Sequence, residues 1–284
     1  MIERSSIKER AMRMFRANYW PCVGLFAIFA AITGALSGVG SIYSTITDLG
    51  KLSEDSEFLK EASAAVTGLS VLFSLMSTAV TIFLLGPLQV SEAKAGLNVY
   101  DGNKPDFRHI LYGFSEGRYW KSVGVIALMF LFITLAVFAA VIPASIILAI
   151  PAIAGGFFEG AEISAAFVVG LVLAVIVVMI PTIILGIGFS QVHFAVAAEG
   201  RSGMDAIKRS WELMRGHKWE YFVFALSFLG WELLNVLTLG VLGIFRVNPY
   251  VAICYAGYHR ELVYSEEPML MGEPAVDEYG QIRF

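Results

Sequence analysis

The sequence predicts an all-α polytopic membrane bundle of six transmembrane helices, built as three units that each join an interfacial amphipathic helix to a transmembrane helix pair. Three observations predict it. Hydrophobic residues make up 57% of the 284-residue chain and charged residues 15%, against roughly 45–50% and about 25% in soluble domains. Charge-free runs cover 17–47, 62–91, 122–158 and 163–198, each longer than the ~20 apolar residues that cross a bilayer. With both termini inside, the 20 Lys and Arg, except Lys51, Lys60 and Arg246, all fall in inner segments, as the positive-inside rule requires. The outer loops are acidic instead, with Glu54, Asp55 and Glu57 in the first and Glu159 and Glu162 in the second. A basic face of this kind suits anionic lipid, so membrane lipids are the expected partners, with another membrane protein as a further one, and no nucleic acid is implied.

The elements follow in order. Transmembrane helices are expected at about 20–44, 66–90, 120–148, 163–195, 219–237 and 239–262. The amino terminus is basic and then apolar, but its apolar run is too long for a signal-peptide core, so the first helix is expected to stay. Three inner segments resemble one another: "SIKERAMRMFRANYW" (6–20), "DFRHILYGFSEGRYW" (106–120) and "DAIKRSWELMRGHKW" (205–219). Each opens on a helix N-cap residue, Ser6, Asp106 or Asp205, and carries a small residue eleven positions on, Ala17, Gly117 or Gly216. Each ends on a tryptophan, and Trp20, Trp120 and Trp219 are expected to anchor the next helix at headgroup level. The returning segments also echo each other, "GPLQVSEAKAG" (86–96) beside "GFSQVHFAVAAEG" (188–200), with Gly86 matching Gly188 and Gln89 matching Gln191. Pseudo-repeats are therefore drawn at about 5–97, 105–200 and 204–263 within a single domain, 1–263. The outer loop at 48–63 is read as a short exposed helix, and the acidic segment 264–284, with its two prolines, as a disordered cytoplasmic tail. Pro87, Pro143, Pro151 and Pro181 are expected to kink or end helices.

Few residues point to chemistry. "GFSEG" at 113–117 matches the G-x-S-x-G pattern of serine hydrolases, but that elbow needs a strand–turn–helix setting, which an inner amphipathic segment does not offer. Cys22 and Cys254 stand alone in apolar stretches and read as packing residues. His193, beside Ser190 and Gln191, reads as a hydrogen-bonded residue near the inner end of the fourth helix. No cofactor or metal site is expected, since no histidine pair, C-x-x-C or phosphate loop is present.

The stretch "SFLGWELLNVLTLGVLGIFRVNPY" (227–250) is the exception, because Glu232 and Arg246 interrupt an apolar run. A turn at 238–240 puts them at similar depth. Glu232, Asn235 and Arg246 then form a candidate intramembrane polar cluster, either as an ion pair stapling the hairpin or with Arg246 reaching the outer interface and Glu232 protonated.

Residues 205–262 also resemble a known family. "AIKRS", "MRG", "SFLGW", "PY" and "YHREL" are similar to the carboxy-terminal signature of a bacterial integral-membrane family catalogued as domain of unknown function 975, and the layout resembles the membrane domain attached to some glycerophosphodiester phosphodiesterases. The resemblance implies a six-helix, multi-pass protein of the bacterial cytoplasmic membrane with both termini cytoplasmic, and implies no activity. The expected function is that of a non-enzymatic helper or scaffold binding lipid or another membrane protein. The alternative is a small transporter or channel using the cluster at Glu232, Asn235 and Arg246.

Overall fold

The computed structural model describes the backbone of residues 4–51, 72–73, 75–155, 158–159, 162–163 and 165–271, and the side chains of 4–35, 72–73, 75–150 and 165–266. Most of the expected outer-loop helix, the start of the second transmembrane helix and the tail beyond 271 lie outside the described residues. Among them the chain is helical apart from a two-residue antiparallel pairing of β1 (Phe158–Glu159) with β2 (Glu162–Ile163).

α1 (Arg4–Ala17) is rich in good helix formers and buries one stripe, Ile7, Ala11 and Phe15, at i, i+4 spacing. The chain then bends by 101° into α2 (Tyr19–Lys51). α3 (Leu75–Tyr100) contains a π turn at Thr81–Leu85 just before Pro87. A proline has no N–H to give and its ring crowds the preceding turn, and a widened turn relieves both. The same device recurs at Gly243–Val247, just before Pro249. A 3₁₀ helix (Phe107–Phe114) follows, then α4 (Tyr119–Gly155), α5 (Ala165–Phe189), α6 (Val192–Glu199), α7 (Gly203–Leu213), α8 (Lys218–Leu226), α9 (Leu229–Leu237) and α10 (Asn248–Met271). α4 runs on through Pro143 and Pro151, and α5 through Pro181, so these prolines do not end their helices.

Four stretches are long and apolar enough to cross a membrane, Leu75–Tyr100, Tyr119–Ile150, Ala165–Glu199 and Lys218–Leu237, and the bent pair Arg4–Ala17 with Tyr19–Ala35 makes five if counted as one. By length and composition the described residues thus hold four or five helices apolar enough to cross a membrane, and part of the expected second helix lies outside those residues. The helix expected at 239–262 is not one of them. The turn does fall where expected, with Leu239 at φ 52° and Gly240 at φ 85°, but the π turn then delays α10 to Asn248, and its middle carries His259, Arg260 and Glu261. α10 also continues past Val263 to Met271, into the segment expected to be a disordered tail.

The core gathers at one end of the bundle, here called the base. α1 packs on α10, the 3₁₀ helix on α3 and α7 on α6, while α3 packs on both α6 and α10. α3 and α10 approach closely at Gly96, where a methyl group would lie 3.1 Å from the Ala252 carbonyl oxygen. Phe224, Phe228, Tyr255 and Tyr258 form an aromatic cluster between α8 and α10, with Phe224 and Phe228 edge-on at 5.1 Å. Lys8 of α1 lies over Phe228 at 4.7 Å and donates to Ser227 Oγ at 2.5 Å. Away from the base, α4 and α5 bury mainly Ala140, Ala144, Gly170 and Ala174, and their Leu, Ile, Val and Phe side chains stay exposed.

Candidate functional site

The expected caps are met at one inner segment out of three. Asp106 caps the 3₁₀ helix, its Oδ1 accepting from the Arg108 N–H at 2.8 Å. Ser6 lies inside α1, and Asp205 lies in the first turn of α7 behind the N-cap Ser202. An acid there still favours the positive helix end. Gly117 and Gly216 end their segments with φ 78° and φ 87°, a conformation that glycine adopts without a Cβ clash.

The three tryptophans are placed alike. Trp20, Trp120 and Trp219 are 71%, 71% and 72% exposed, at the starts of α2, α4 and α8. Tyr19 meets Trp20 with ring centres 5.2 Å apart at 78°, and Tyr119 meets Trp120 at 5.3 Å and 74°.

The cluster at Glu232, Asn235 and Arg246 is not closed by an ion pair among the described residues. Glu232 and Arg246 are both exposed. The Arg246 guanidinium lies 5.1 Å over the Trp231 ring, and Asn235 Oδ1 accepts from the Gly243 N–H at 2.7 Å. Asn235 therefore clasps the hairpin just beyond its turn, and the two charges stand apart from that bond.

A different polar site lies at the base. A partly open pocket of about 260 Å³ is lined by Gln89, Glu92 and Ala93 of α3, Ser190, His193 and Phe194 around the start of α6, Tyr221 of α8, and Ala252 and Tyr255 of α10. Glu92 is the only charged side chain in that lining, and it has no hydrogen-bond or ion-pair partner among the described residues. His193 Nε2 is buried and likewise without a partner among them. Beside the pocket Gln191 is fully buried, and its Oε1 lies 3.2 Å from His259 Nδ1, whose ring stacks on Phe194 at 5.2 Å. The sequence does not single out Glu92, because an expected helix end at about 90 leaves the acid just beyond the span. Instead α3 carries on to Tyr100, placing Glu92 on the helix that packs against α6 and α10. The echo of 86–96 with 188–200 was the available signal, since it sets Glu92 and His193 near the same point of the two segments.

Ion pairs at the base tie the carboxy-terminal helix down. Arg209 of α7 reaches Glu199 at 3.0 Å and Glu266 at 2.6 Å, and Arg260 pairs with Asp101.

The family described as Protein of unknown function (DUF975) matches residues 1–266. The chain belongs to this family. The match extends the resemblance seen at 205–262 over nearly the whole sequence and brings no activity with it. Neither a search of curated proteins nor a search of solved structures returned a match.

Proposed function

We propose that the protein is a non-enzymatic helper or scaffold of the bacterial cytoplasmic membrane, which binds lipid or another membrane protein through the face built by α1, the 3₁₀ helix and α7. On this reading the chain is multi-pass with both termini cytoplasmic. The stretch Lys218–Leu237, made of α8 and α9, and the helix after it supply the last two of six crossings, and each inner helix with the pair that follows it forms one of three units. The observation that carries it is the shared setting of Trp20, Trp120 and Trp219, each 71–72% exposed at the start of α2, α4 or α8. Indole rings left in the open where apolar helices begin suit a headgroup layer. Affinity purification from the native membrane, read by lipid and protein mass spectrometry, tests this. A stoichiometric protein partner or a retained lipid class is expected, and a bare monomer would count against it.

A small transporter or channel is the second reading, and the pocket at Glu92 and His193 favours it. Glu232 and Arg246 give it no support, being exposed and apart from that pocket. Solute flux into proteoliposomes that Glu92→Gln abolishes would select it over the scaffold.

A further inference from the structure

We propose that the pocket between α3, α6, α8 and α10 binds a primary ammonium group. The inference stands on the pocket itself and not on the role of the inner face. An acid in a membrane helix with no partner is costly unless something supplies the missing charge or hydrogen bonds. Among the described residues nothing supplies them to Glu92. The lining carries no Lys or Arg, so an anionic ligand meets a carboxyl and no counter-charge.

A cationic ligand fits on three counts. Glu92 offers acceptor oxygens, and the His193 ring lines the pocket beside it. Gln89 adds a further acceptor to the lining. Phe194, Tyr221 and Tyr255 present aromatic rings, which attract a cation to their faces. A metal ion is a poor match, because no group of three or more His, Cys, Asp or Glu able to hold one exists among the described residues. A primary ammonium is better, with three N–H donors for several acceptors, and about 260 Å³ holds a small headgroup where a single water occupies about 30 Å³.

The position of the pocket agrees. Tyr221 stands two residues beyond Trp219, and a methyl on Gly86, one turn before Gln89, would lie 3.3 Å from the carbonyl oxygen of Ser122, two residues beyond Trp120. The pocket therefore lies close to Trp219 and to the α3–α4 contact beside Trp120. The ammonium can be carried by a lipid headgroup or by a small soluble amine.

Full-length protein in nanodiscs of phosphatidylglycerol separates these. In one arm phosphatidylethanolamine or phosphatidylcholine is doped in and the lipid retained is counted by native mass spectrometry. In the other, ethanolamine or choline is added and thermal unfolding is followed. Retention of phosphatidylethanolamine at least about tenfold above phosphatidylcholine assigns the site to a lipid headgroup. A rise in unfolding temperature with ethanolamine but not choline assigns it to a soluble amine. Glu92→Gln keeps the side-chain shape and should abolish whichever signal appears, and His193→Gln, the second variant should the first misfold, should weaken it several-fold. If neither primary amine is preferred over its quaternary counterpart, or if the folded variants bind as the unaltered protein does, the proposal is overturned.

Discussion

At the scale of single residues, Gly113 and Ser91 show why one inner segment is held so closely. Ser91 Oγ donates to the Pro87 carbonyl at 2.9 Å and accepts from the Gly113 N–H at 2.8 Å. A methyl on Gly113 would lie only 2.0 Å from that same carbonyl oxygen. Gly113→Ala should therefore destabilise the protein by about 1–3 kcal/mol or more through overpacking. Gly117→Ala, at φ 78° but with open space around it, should cost only about 1–2 kcal/mol. Thermal unfolding in detergent ranks the two. Ser91→Ala should lose about 1–3 kcal/mol by leaving a buried N–H unsatisfied. These contacts give "GFSEG" a structural meaning: its first glycine admits a backbone, its second makes a turn, and Ser115 Oγ donates to Tyr112 O at 2.8 Å. His109 of the same segment responds to pH. Burial, outweighing the opposing pull of Asp106, lowers its pKa below the usual 6.5. The folded protein thus binds this proton less readily than the unfolded chain, so the stability tied to neutral His109 is complete above pH 6.5 and is lost as pH falls through the folded value. Unfolding temperatures across that window should fall more steeply for the natural sequence than for His109→Gln.

At the scale of elements, α1 behaves as part of the core. Its stripe of Ile7, Ala11 and Phe15 is buried against the base, so Phe15→Ala should cost roughly 3–5 kcal/mol, read as a lower unfolding temperature and faster proteolysis of α1. How much of each element was legible depended on how local its cause was. The long apolar helices were legible because length and charge exclusion act along the chain, and the turn at Leu239 and Gly240 fell in its expected place. The ends of helices were less so. α3 overruns its expected end because Val90, Ala93, Leu97 and Val99 are buried at the base, and α10 overruns because Glu266 has Arg209 to hold it. The polar pocket was not legible, since four segments far apart in sequence build it. A turn at 238–240 sets Glu232 and Arg246 at similar depth but does not fix where their side chains go, and the Arg246 guanidinium lies over the Trp231 ring.

At the scale of the whole molecule, the well-packed region is confined to the base, and α4 with α5 projects from it showing apolar side chains outward. Variants that each keep a single tryptophan at 20, 120 or 219 should be quenched to the same degree by lipids brominated at one chosen depth. Unequal quenching would separate the three positions and break the common level on which the proposed orientation depends. The seat of α1 on α10 also sets a timetable. α1 is complete at Ala17 and α10, its main partner, begins only at Asn248, so Ile7 and Phe15 find their full packing only once that helix has been added. Until then α1 has only its smaller contacts with α2 and α3, and a chain cut short before residue 248 would leave its stripe without its main partner.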